Sequence, residues 1–451
     1  MTQLSCLLKT TLIGCFALYL SACIEGSIVD IGNYSAIFVT NNTPETLYVT
    51  VNTNEAESLW SAGVEAIEPY KTERVLRLVR NSGQSEGTVL SYSTFISNSQ
   101  GEGIYLEQEL ISKTLSDDIQ FGLEADDLQT GFKTNSDLYR YTSYFDTSLS
   151  NPSRVAFKAK SKSFFKDVYY SVTAPAASRP LNENEDELSI ATYNVWGLPF
   201  VSSDISRRFS FIPEQLQGFD VLVLQEAFDA KSNSLLAKLA EAYPYQTAVL
   251  NAGSSNVHNG GVVIVSRFPL VNEMQATFPD CAGSDCLADK GIMYAEAIKG
   301  GKSYHILATH AASFDDDDSR ANRRKQFKQM REFAQSLNIS AADRVIYAGD
   351  LNVNKLRYPN DYTEMLSLLQ ADEPAYSGYT KATFDPDINE YATSSLSGSK
   401  NPEYLDYILM SNEYGSYQEN TNEVFIIRQD HKDLWQLWDL SDHFPVSTTI
   451  K

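Results

Sequence analysis

The chain contains apolar runs of strand length that each lead into a polar side chain suited to binding a metal ion or a phosphate. Because parallel strands end at the same edge of a sheet, we expect these terminal side chains to converge on one site. The runs are 188–193 before Asn194, 221–224 before Glu226, 306–308 before His310 and 345–348 before Asp350. Two later segments, 404–407 and 441–443, carry further acidic and imidazole groups. This arrangement predicts an enzyme.

Glu226 follows a strand that is apolar at nearly every position, where a carboxylate is costly unless a cation neutralises it. Mg²⁺ takes few protein ligands and keeps several waters for a substrate phosphate. Asn194 could supply a neutral oxygen beside Glu226. A helix cap or a structural ion pair would also account for Glu226, and a turn would account for Asn194.

Asp350 and Asn352 alternate along what we expect to be an extended strand end, so both side chains should face the same way. A carboxylate and an amide placed side by side can orient a water and hold a phosphate oxygen. The alternative is an Asx turn within Gly-Asp-Leu-Asn.

His443 follows Asp442 near the C-terminus, and its imidazole titrates near neutrality, which suits a general base. Such a base needs an orienting carboxylate, for which Asp406 is the candidate. His310, at another strand end, could donate to a phosphoryl oxygen as charge builds there.

The chain of 451 residues carries a formal charge of -22, with 36 Lys and Arg against 58 Asp and Glu. Affinity for nucleic acid normally depends on positive charge, so nucleic acid is not expected as a partner. We interpret the acidity as favouring solubility outside the cell. The oligomeric state is left open by the sequence.

The first 22 residues are predicted to be a signal peptide, with an apolar core too short to span a bilayer comfortably. It ends in Leu-Ser-Ala before Cys23, which resembles a bacterial lipobox and predicts lipidation of Cys23. The expected destination is the outer membrane or cell surface, with the protein either retained there or released. An ordinary signal peptide is the alternative.

Cys281 and Cys286 remain as a pair in an exported chain, and we predict a small disulfide loop.

Residues 24–178 have short Val- and Tyr-rich runs separated by turn clusters, which predicts a smaller all-β, sandwich-like domain. Residues 179–187 read as a linker. From 188 onward, strands alternate with helices at 229–243 and 319–337, and 293–298 with 303–308 forms a predicted hairpin around Gly300-Gly301. The whole chain is therefore predicted to be α+β, with a layered catalytic domain at 188–451.

The segments between about 188 and 451 resemble the endonuclease/exonuclease/phosphatase superfamily and, within it, the bacterial secreted and neutral sphingomyelinases. The matching motifs occur in the family order at 193–199, 220–226, 259–266, 289–291, 308–310, 349–352, 404–408 and 441–446. Each motif is short, but their joint order is specific. The resemblance implies a four-layer α/β/β/α sandwich and a metal-dependent phosphoric diester hydrolase.

Carried onto this sequence, the resemblance implies a role for each site residue. Mg²⁺, or Mn²⁺ or Co²⁺ in its place, would be held by Glu226 and Asn194, with Asp442 near it. The catalytic residues implied are His443, His310, Asp350, Asn352 and Asp406, and the substrate-binding residues are Asn259 and Lys290.

The implied reaction is hydrolysis of sphingomyelin, a membrane phospholipid, to ceramide and phosphocholine at a membrane surface. Another phosphoesterase of the same fold, such as a nuclease, phospholipase or inositol phosphatase, is the first alternative, and a non-catalytic surface lipoprotein is the second. One departure from the family leaves head-group specificity open. Bacterial members often join the cysteine before the lysine segment to a cysteine in the loop after the catalytic histidine. The loop after His310 contains no cysteine, so Cys281 and Cys286 must pair with each other or stay free.

Overall fold

A computed structural model describes residues 34–79, 85–101, 103–112, 117–125, 128–129, 140–142, 154–162, 165–173, 179–394 and 399–451. The predicted signal peptide and Cys23 lie outside these residues. We call the described residues up to 173 the N-terminal region and those from 179 onward the C-terminal region.

The N-terminal region is built from two six-stranded sheets. Sheet I has the order β10-β11-β12-β1-β5-β3 and sheet II the order β4-β2-β6-β7-β8-β9. Residues such as Ile37, Leu76, Leu106 and Tyr170 form a buried apolar cluster shared by the two sheets. The strands are β1 (Tyr34–Asn42), β2 (Leu47–Asn52), β3 (Trp60–Ala62), β4 (Ala66–Ile67), β5 (Thr72–Val79), β6 (Val89–Ser97), β7 (Gly103–Ser112), β8 (Asp117–Ala125), β9 (Leu128–Gln129), β10 (Arg140–Thr142), β11 (Arg154–Lys162) and β12 (Phe165–Thr173).

The C-terminal region has two further sheets and five α-helices. Sheet III is seven-stranded, in the order β15-β16-β14-β13-β24-β23-β21, and sheet IV is five-stranded, in the order β17-β18-β19-β20-β22. The strands are β13 (Leu188–Asn194), β14 (Val221–Gln225), β15 (Tyr245–Gln246), β16 (Val263–Ser266), β17 (Leu270–Thr277), β18 (Gly291–Lys299), β19 (Lys302–His310), β20 (Arg344–Asp350), β21 (Ala375–Gly378), β22 (Asp406–Met410), β23 (Thr421–Val424) and β24 (Val446–Ile450). The helices are α1 (Ile205–Gln215), α2 (Asp229–Leu239), α3 (Asp317–Ser336), α4 (Pro359–Leu369) and α5 (Glu390–Ser394). Short 3-10 turns cover Glu57–Leu59, Gly283–Leu287 and Lys432–Leu434.

Alternation along the strands of sheet III places apolar side chains in two separate cores. Leu188 and Ile190 of β13 belong to the cluster shared with sheet IV, α3 and α4. Ala191 and Tyr193 of the same strand belong to the cluster that includes α1 and α2. The layers are therefore helix, sheet, sheet and helix, which confirms the predicted fold class.

Local signals located several elements correctly. The hairpin forms as β18 and β19, with Lys299 paired to Lys302 and positive φ angles at Gly300 and Gly301. Helix α3 begins two residues before the predicted start. Its N-cap, Asp316, accepts hydrogen bonds from the backbone nitrogens of Asp318 and Ser319, as expected of an acidic N-terminus.

No helix in the described part of the chain combines the length and the apolar character that crossing a bilayer requires.

Candidate active site

The polar strand ends converge at one edge of the two facing sheets. In sheet III, β13 and β14 are parallel, and Asn194 pairs with Gln225, the residue before the predicted metal-binding glutamate. In sheet IV, β19 and β20 are parallel and bring His310 beside Asp350, and the antiparallel β22 adds Asp406 opposite Asp350. Strand direction and register alone therefore gather these groups from distant parts of the sequence.

Asp350 lies at the centre of this arrangement. Its Oδ2 accepts a hydrogen bond from Asn194 Nδ2 at 3.1 Å and lies 3.5 Å from His310 Nε2 and 3.9 Å from His443 Nε2. Burial, followed by repulsion from Asp406, raises the pKa of Asp350 to about 7. Asp350 can therefore gain or lose a proton near neutral pH, and a nearby cation would favour its ionised form.

His443 and Asp406 form a buried acid–base pair. His443 Nδ1 donates to Asp406 Oδ2 at 2.8 Å, which leaves Nε2 facing Asp350. The backbone nitrogen of Asp406 donates to Thr383 Oγ1 at 3.3 Å. Burial lowers the pKa of His443, but Asp406, Asp350 and Asp442 outweigh it and raise the pKa well above the ordinary value. Without a compensating cation, the negative charge of these carboxylates favours the protonated imidazole.

Glu226 offers an oxygen suited to a cation. It follows β14 with a left-handed φ of 55°, and its Oε1 accepts from Asn194 Nδ2 at 3.1 Å. Its Oε2 is buried without a hydrogen-bond partner among the described residues. Burial raises the pKa of Glu226, and burial followed by repulsion from Glu226 raises the pKa of Asp442 to about 7. Because buried carboxylates this close destabilise one another, a divalent cation fits this donor set.

Asn194 presents its nitrogen, rather than the expected oxygen, to the two carboxylates. Its Oδ1 accepts from the backbone nitrogen of Trp196 at 2.9 Å, which fixes the orientation of the amide because a backbone N–H can only donate. In this structure Asn194 bridges Glu226 and Asp350. Its ligation of a metal stays a prediction.

A second set of potential ligand atoms overlaps this site. One atom each from Asp350, Asp406 and His443 lie within 4.8 Å of one another. Since Asp406 Oδ2 already accepts from His443, we interpret this set as the acid–base pair beside the Asp350 carboxylate.

The expectation that Asp350 and Asn352 share an extended strand end is wrong. Strand β20 ends at Asp350, and Asn352 has a left-handed φ of 53°. The backbone nitrogen of Asn352 donates to Asp350 Oδ1 at 3.0 Å, which is the Asx turn that competes with strand extension. Asn352 Nδ2 instead donates to Ala311 O at 3.2 Å, next to His310.

His310 is neutral in this setting. Burial lowers its pKa well below the ordinary value, and the positive charges of Lys290 and His443 lower it further. Its Nδ1 has no hydrogen-bond partner among the described residues, and its Nε2 faces Asp350. A neutral imidazole can donate one hydrogen bond to a phosphate oxygen.

Lys290 is anchored beside the site by the loop that follows β19. Its Nζ donates to Ala311 O at 2.6 Å and to Ser313 Oγ at 2.8 Å, and it forms an ion pair with Asp285 at 3.3 Å. The other oxygen of Asp285 accepts from the backbone nitrogen of Ser313 at 2.7 Å. Asp285 therefore ties Lys290 to this loop.

The disulfide predicted between Cys281 and Cys286 is present and closes the turn that carries Asp285. The loop after His310, which lacks a cysteine, is thus held by hydrogen bonds from Lys290 to Ala311 and Ser313 and from Ser313 to Asp285. Sequence reasoning missed Asp285, although its position inside the small disulfide loop and close to Lys290 was an available signal.

Asn259 makes a local bond. Its Oδ1 accepts from the backbone nitrogen of Gly261 at 3.0 Å, and no contact of the described residues joins Asn259 to the carboxylates.

Sequence reasoning also missed Arg208, whose buried guanidinium donates to the carbonyl oxygens of Val195, Trp196 and Leu440. It joins the loop after β13 to the segment before His443, and no local motif indicates that role.

Comparison with known proteins agrees with this geometry. The profile described as "Endonuclease/Exonuclease/phosphatase family" matches residues 191–443. Sphingomyelinase C of Bacillus cereus is 32% identical over 317 residues, covering 62% of this chain and 93% of that protein. Sphingomyelinase C of Listeria ivanovii is 34% identical over 257 residues, covering 52% and 76%. The crystal structure of a Staphylococcus aureus beta toxin mutant with bound magnesium ions matches with a TM-score of 0.54 and 29% identity, covering 59% of this chain and 100% of the toxin chain.

The family profile spans the strand ends from β13 to His443, so the match includes the carboxylates and imidazoles described above. The facing sheets, the convergent strand ends and the relatives all lead to one assignment. The chain belongs to the endonuclease/exonuclease/phosphatase family, resembles the sphingomyelinases C within it, and is a hydrolase of phosphodiester bonds.

Proposed function

We propose that this protein is a Mg²⁺-dependent sphingomyelinase C that hydrolyses sphingomyelin to ceramide and phosphocholine at a membrane surface. The observation that carries the proposal is the buried Oε2 of Glu226, which has no hydrogen-bond partner among the residues that the structure describes. It lies in a group of carboxylates beside the His443–Asp406 pair. The similarity to sphingomyelinases C supports the choice of substrate.

In this proposal Glu226 and Asp442 would hold the cation through their carboxylates, and Asn194 would join them only if its Oδ1 left the backbone nitrogen of Trp196 and turned toward the ion. When bound, Mg²⁺ would neutralise these carboxylates and stabilise negative charge on a phosphate oxygen. Mn²⁺ or Co²⁺ suits the same oxygen donors and is the alternative ion.

His443 is the proposed general base. Asp406 holds Nδ1–H, so Nε2 would take the proton from the attacking water. Asp350, whose Oδ2 lies 3.9 Å from that Nε2, would orient the water. A base must be neutral, whereas the surrounding carboxylates raise the pKa of His443. Neutralising those carboxylates favours the neutral imidazole, which makes general-base catalysis depend on the occupied site.

The remaining residues bind the substrate phosphate. Neutral His310 donates a hydrogen bond to a phosphoryl oxygen, and the ammonium group of Lys290 supplies positive charge from beside the same strand end. Asn352 would position the phosphate with Asp350, and Asn259 would bind the substrate through its amide. Water attacks phosphorus and gives a proton to His443, the bond from phosphorus to the ceramide oxygen breaks, and the leaving oxygen takes a proton from solvent. His443 then returns its proton to solvent.

Export completes the proposal. Residues 1–22 would be removed as a lipoprotein signal peptide, and lipidated Cys23 would anchor the chain at the outer membrane or cell surface unless it is released. We propose the domain limits expected from the sequence: an accessory domain at 24–178, a linker at 179–187 and a catalytic domain at 188–451.

Two alternatives use the same chain. A nuclease or another phosphoesterase of this fold keeps the metal site and changes the substrate, but the formal charge of -22 opposes a nucleic acid backbone. A non-catalytic binding lipoprotein would not require the His443–Asp406 pair.

One experiment separates these possibilities. The purified protein is incubated with sphingomyelin vesicles, phosphatidylcholine vesicles and plasmid DNA, each with Mg²⁺ or with EDTA. We expect phosphocholine release from sphingomyelin only with Mg²⁺, and a loss of at least about a hundredfold in kcat for both Glu226→Gln and His443→Ala. Normal hydrolysis by Glu226→Gln would refute the metal assignment, and preferential cleavage of DNA would refute the substrate.

A further inference from the structure

Arg428 connects the N-terminal region to the C-terminal region through a buried guanidinium. Its Nη1 donates to Asn42 Oδ1 at 2.9 Å and to the carbonyl oxygen of Tyr70 at 3.2 Å. The ring of Tyr70 lies 5.1 Å from the guanidinium carbon. The acceptors are therefore supplied by sheet I and by the turn before β5, far from Arg428 in sequence.

The same guanidinium holds the segment that leads to the general base. Nε and Nη2 of Arg428 donate to the two carboxylate oxygens of Asp439 at 2.9 and 3.2 Å. Burial lowers the pKa of Arg428, but Asp439 and Glu390 outweigh it, so the group stays charged. Asp439 comes three residues before Asp442 and four before His443.

A second segment, residues 379–389, also contacts both the N-terminal region and the site. Tyr379 donates its hydroxyl to Pro69 O at 3.1 Å, and Lys71 Nζ donates to Asp387 O at 3.2 Å. Within this segment, Thr383 Oγ1 accepts from the backbone of Asp406, the residue that orients the imidazole.

Asn389 extends this support to the other half of the pair. Its Nδ2 donates to Ser441 O at 2.9 Å, two residues before His443. Arg428 Nη2 also donates to the carbonyl oxygen of Ile388, which joins the two supporting segments to each other. The N-terminal region thus contacts both Arg428 and residues 379–389, which are the parts of the chain that support Asp406 and the segment before His443.

We propose that the N-terminal region is a positioning element for the Asp406–His443 pair, acting through Arg428 and residues 379–389. This inference rests on the proposed catalytic role of that pair. Removing an acceptor from a buried guanidinium leaves a charged donor unsatisfied, and Arg428 must then shift toward its remaining partners. Because these partners hold the pair, a small displacement changes the alignment of a proton transfer, to which rates are sensitive.

The test substitutes Asn42, which lies outside the site. Asn42→Ala removes the acceptor for Arg428, whereas Asn42→Asp keeps an oxygen there. Thr173→Val is the matched control, because Thr173 contacts Asn42 Nδ2 at 3.3 Å from the other side. We measure kcat and KM for sphingomyelin and for the soluble diester bis(p-nitrophenyl) phosphate, with circular dichroism to establish folding.

For Asn42→Ala we expect kcat to fall about tenfold on both substrates, with KM changed less than about twofold. Asn42→Asp and Thr173→Val should stay within about twofold of the unsubstituted protein, because both keep an oxygen acceptor for Arg428. Unchanged kcat in Asn42→Ala, or an equal loss in Thr173→Val, would overturn the inference. If Asn42→Ala does not fold, Lys71→Ala/Tyr379→Phe serves the same test with the same expectation.

The outcomes distinguish this inference from the proposed function. If sphingomyelin is not the substrate, the soluble diester still reports the effect. If His443→Ala retains activity, the proposed base is wrong whatever the Asn42 variants do.

Discussion

Burial governs the chemistry of the carboxylates in this site. Glu226, Asp350 and Asp442 all have raised pKa values, and for each the largest cause is removal from water. Without a cation, proton uptake relieves their mutual repulsion. The site therefore favours the binding of positive charge, and its carboxylates lower the stability of the fold when no cation neutralises them.

Asp350→Asn tests this trade between charge and stability. The folded-state pKa of Asp350, about 7, lies above its ordinary value of 3.8. Its contribution to stability is therefore fully present below that ordinary value and is lost as the pH rises through about 7. Asparagine does not titrate. In EDTA, we expect the melting temperature of Asp350→Asn relative to the unsubstituted protein to rise by at least about 3 °C between pH 5 and pH 8.

Asp361→Asn is the matched control for that measurement. Asp361 has a pKa lowered by its hydrogen bond to Arg320, so it is ionised throughout this pH range. Its substitution should shift the melting temperature by the same amount at pH 5 and pH 8. Added Mg²⁺ should reduce the advantage of Asp350→Asn at pH 8. An advantage that shrinks with rising pH in EDTA would contradict the assignment of raised pKa.

At the scale of elements, the sequence predicts where strands end better than how the chain leaves them. The mainly apolar runs before Asn194 and His310 locate the ends of β13 and β19, because strands buried on both faces are rich in apolar residues. The same reasoning fails at Asn352. The carboxylate of Asp350 accepts a hydrogen bond from the backbone nitrogen of Asn352, and the chain turns there instead of continuing as a strand.

Other parts of the site depend on contacts between residues far apart in sequence. Thr383 supports Asp406 from 23 residues away, and Arg428 reaches Asn42 across 386 residues. Neither residue has a local pattern that distinguishes it from other Thr or Arg residues. Such partners follow from the packed fold, so they could not be predicted from one sequence.

The disulfide turn is an element whose effect on catalysis can be measured. Cys281–Cys286 closes the turn that holds Asp285, and Asp285 holds Lys290 beside the strand end of His310. We expect kcat/KM for sphingomyelin to fall about fivefold in Cys281→Ser/Cys286→Ser, and by a similar factor in Asp285→Asn, which loses the ion pair.

Combining the cysteine substitutions with Asp285→Asn tests whether the disulfide affects kcat/KM through Asp285. If the disulfide works by holding Asp285, combining all three substitutions should cost no more than Asp285→Asn alone. Multiplied losses would mean that the disulfide has a separate role. Lys325→Ala, which removes an exposed ion pair with Asp280 just before the turn, is the control and should change kcat/KM less than about twofold.

At the scale of the whole molecule, the fold combines a widely used hydrolase scaffold with an added β region. The staphylococcal toxin chain is matched in full by 59% of this chain, so about two-fifths of the chain has no counterpart in that structure. Arg428 joins this added region, through Asn42, to Asp439 in the segment that leads to His443.

The net charge of the molecule predicts how it responds to membrane composition. A formal charge of -22 repels an anionic surface. Salt shortens the range of that repulsion, because the Debye length falls from about 30 Å at 0.01 M to about 3 Å at 1 M. On sphingomyelin vesicles containing phosphatidylglycerol, we expect hydrolysis at 10 mM NaCl to be at least about threefold slower than on vesicles containing phosphatidylcholine instead. At 500 mM NaCl the two rates should converge, while the rate on the zwitterionic vesicles should hardly change between the two salt concentrations. Vesicle sedimentation run in parallel tells whether the difference lies in binding. Faster hydrolysis on the anionic vesicles at low salt would show that a local basic surface, rather than the net charge, governs approach to the bilayer.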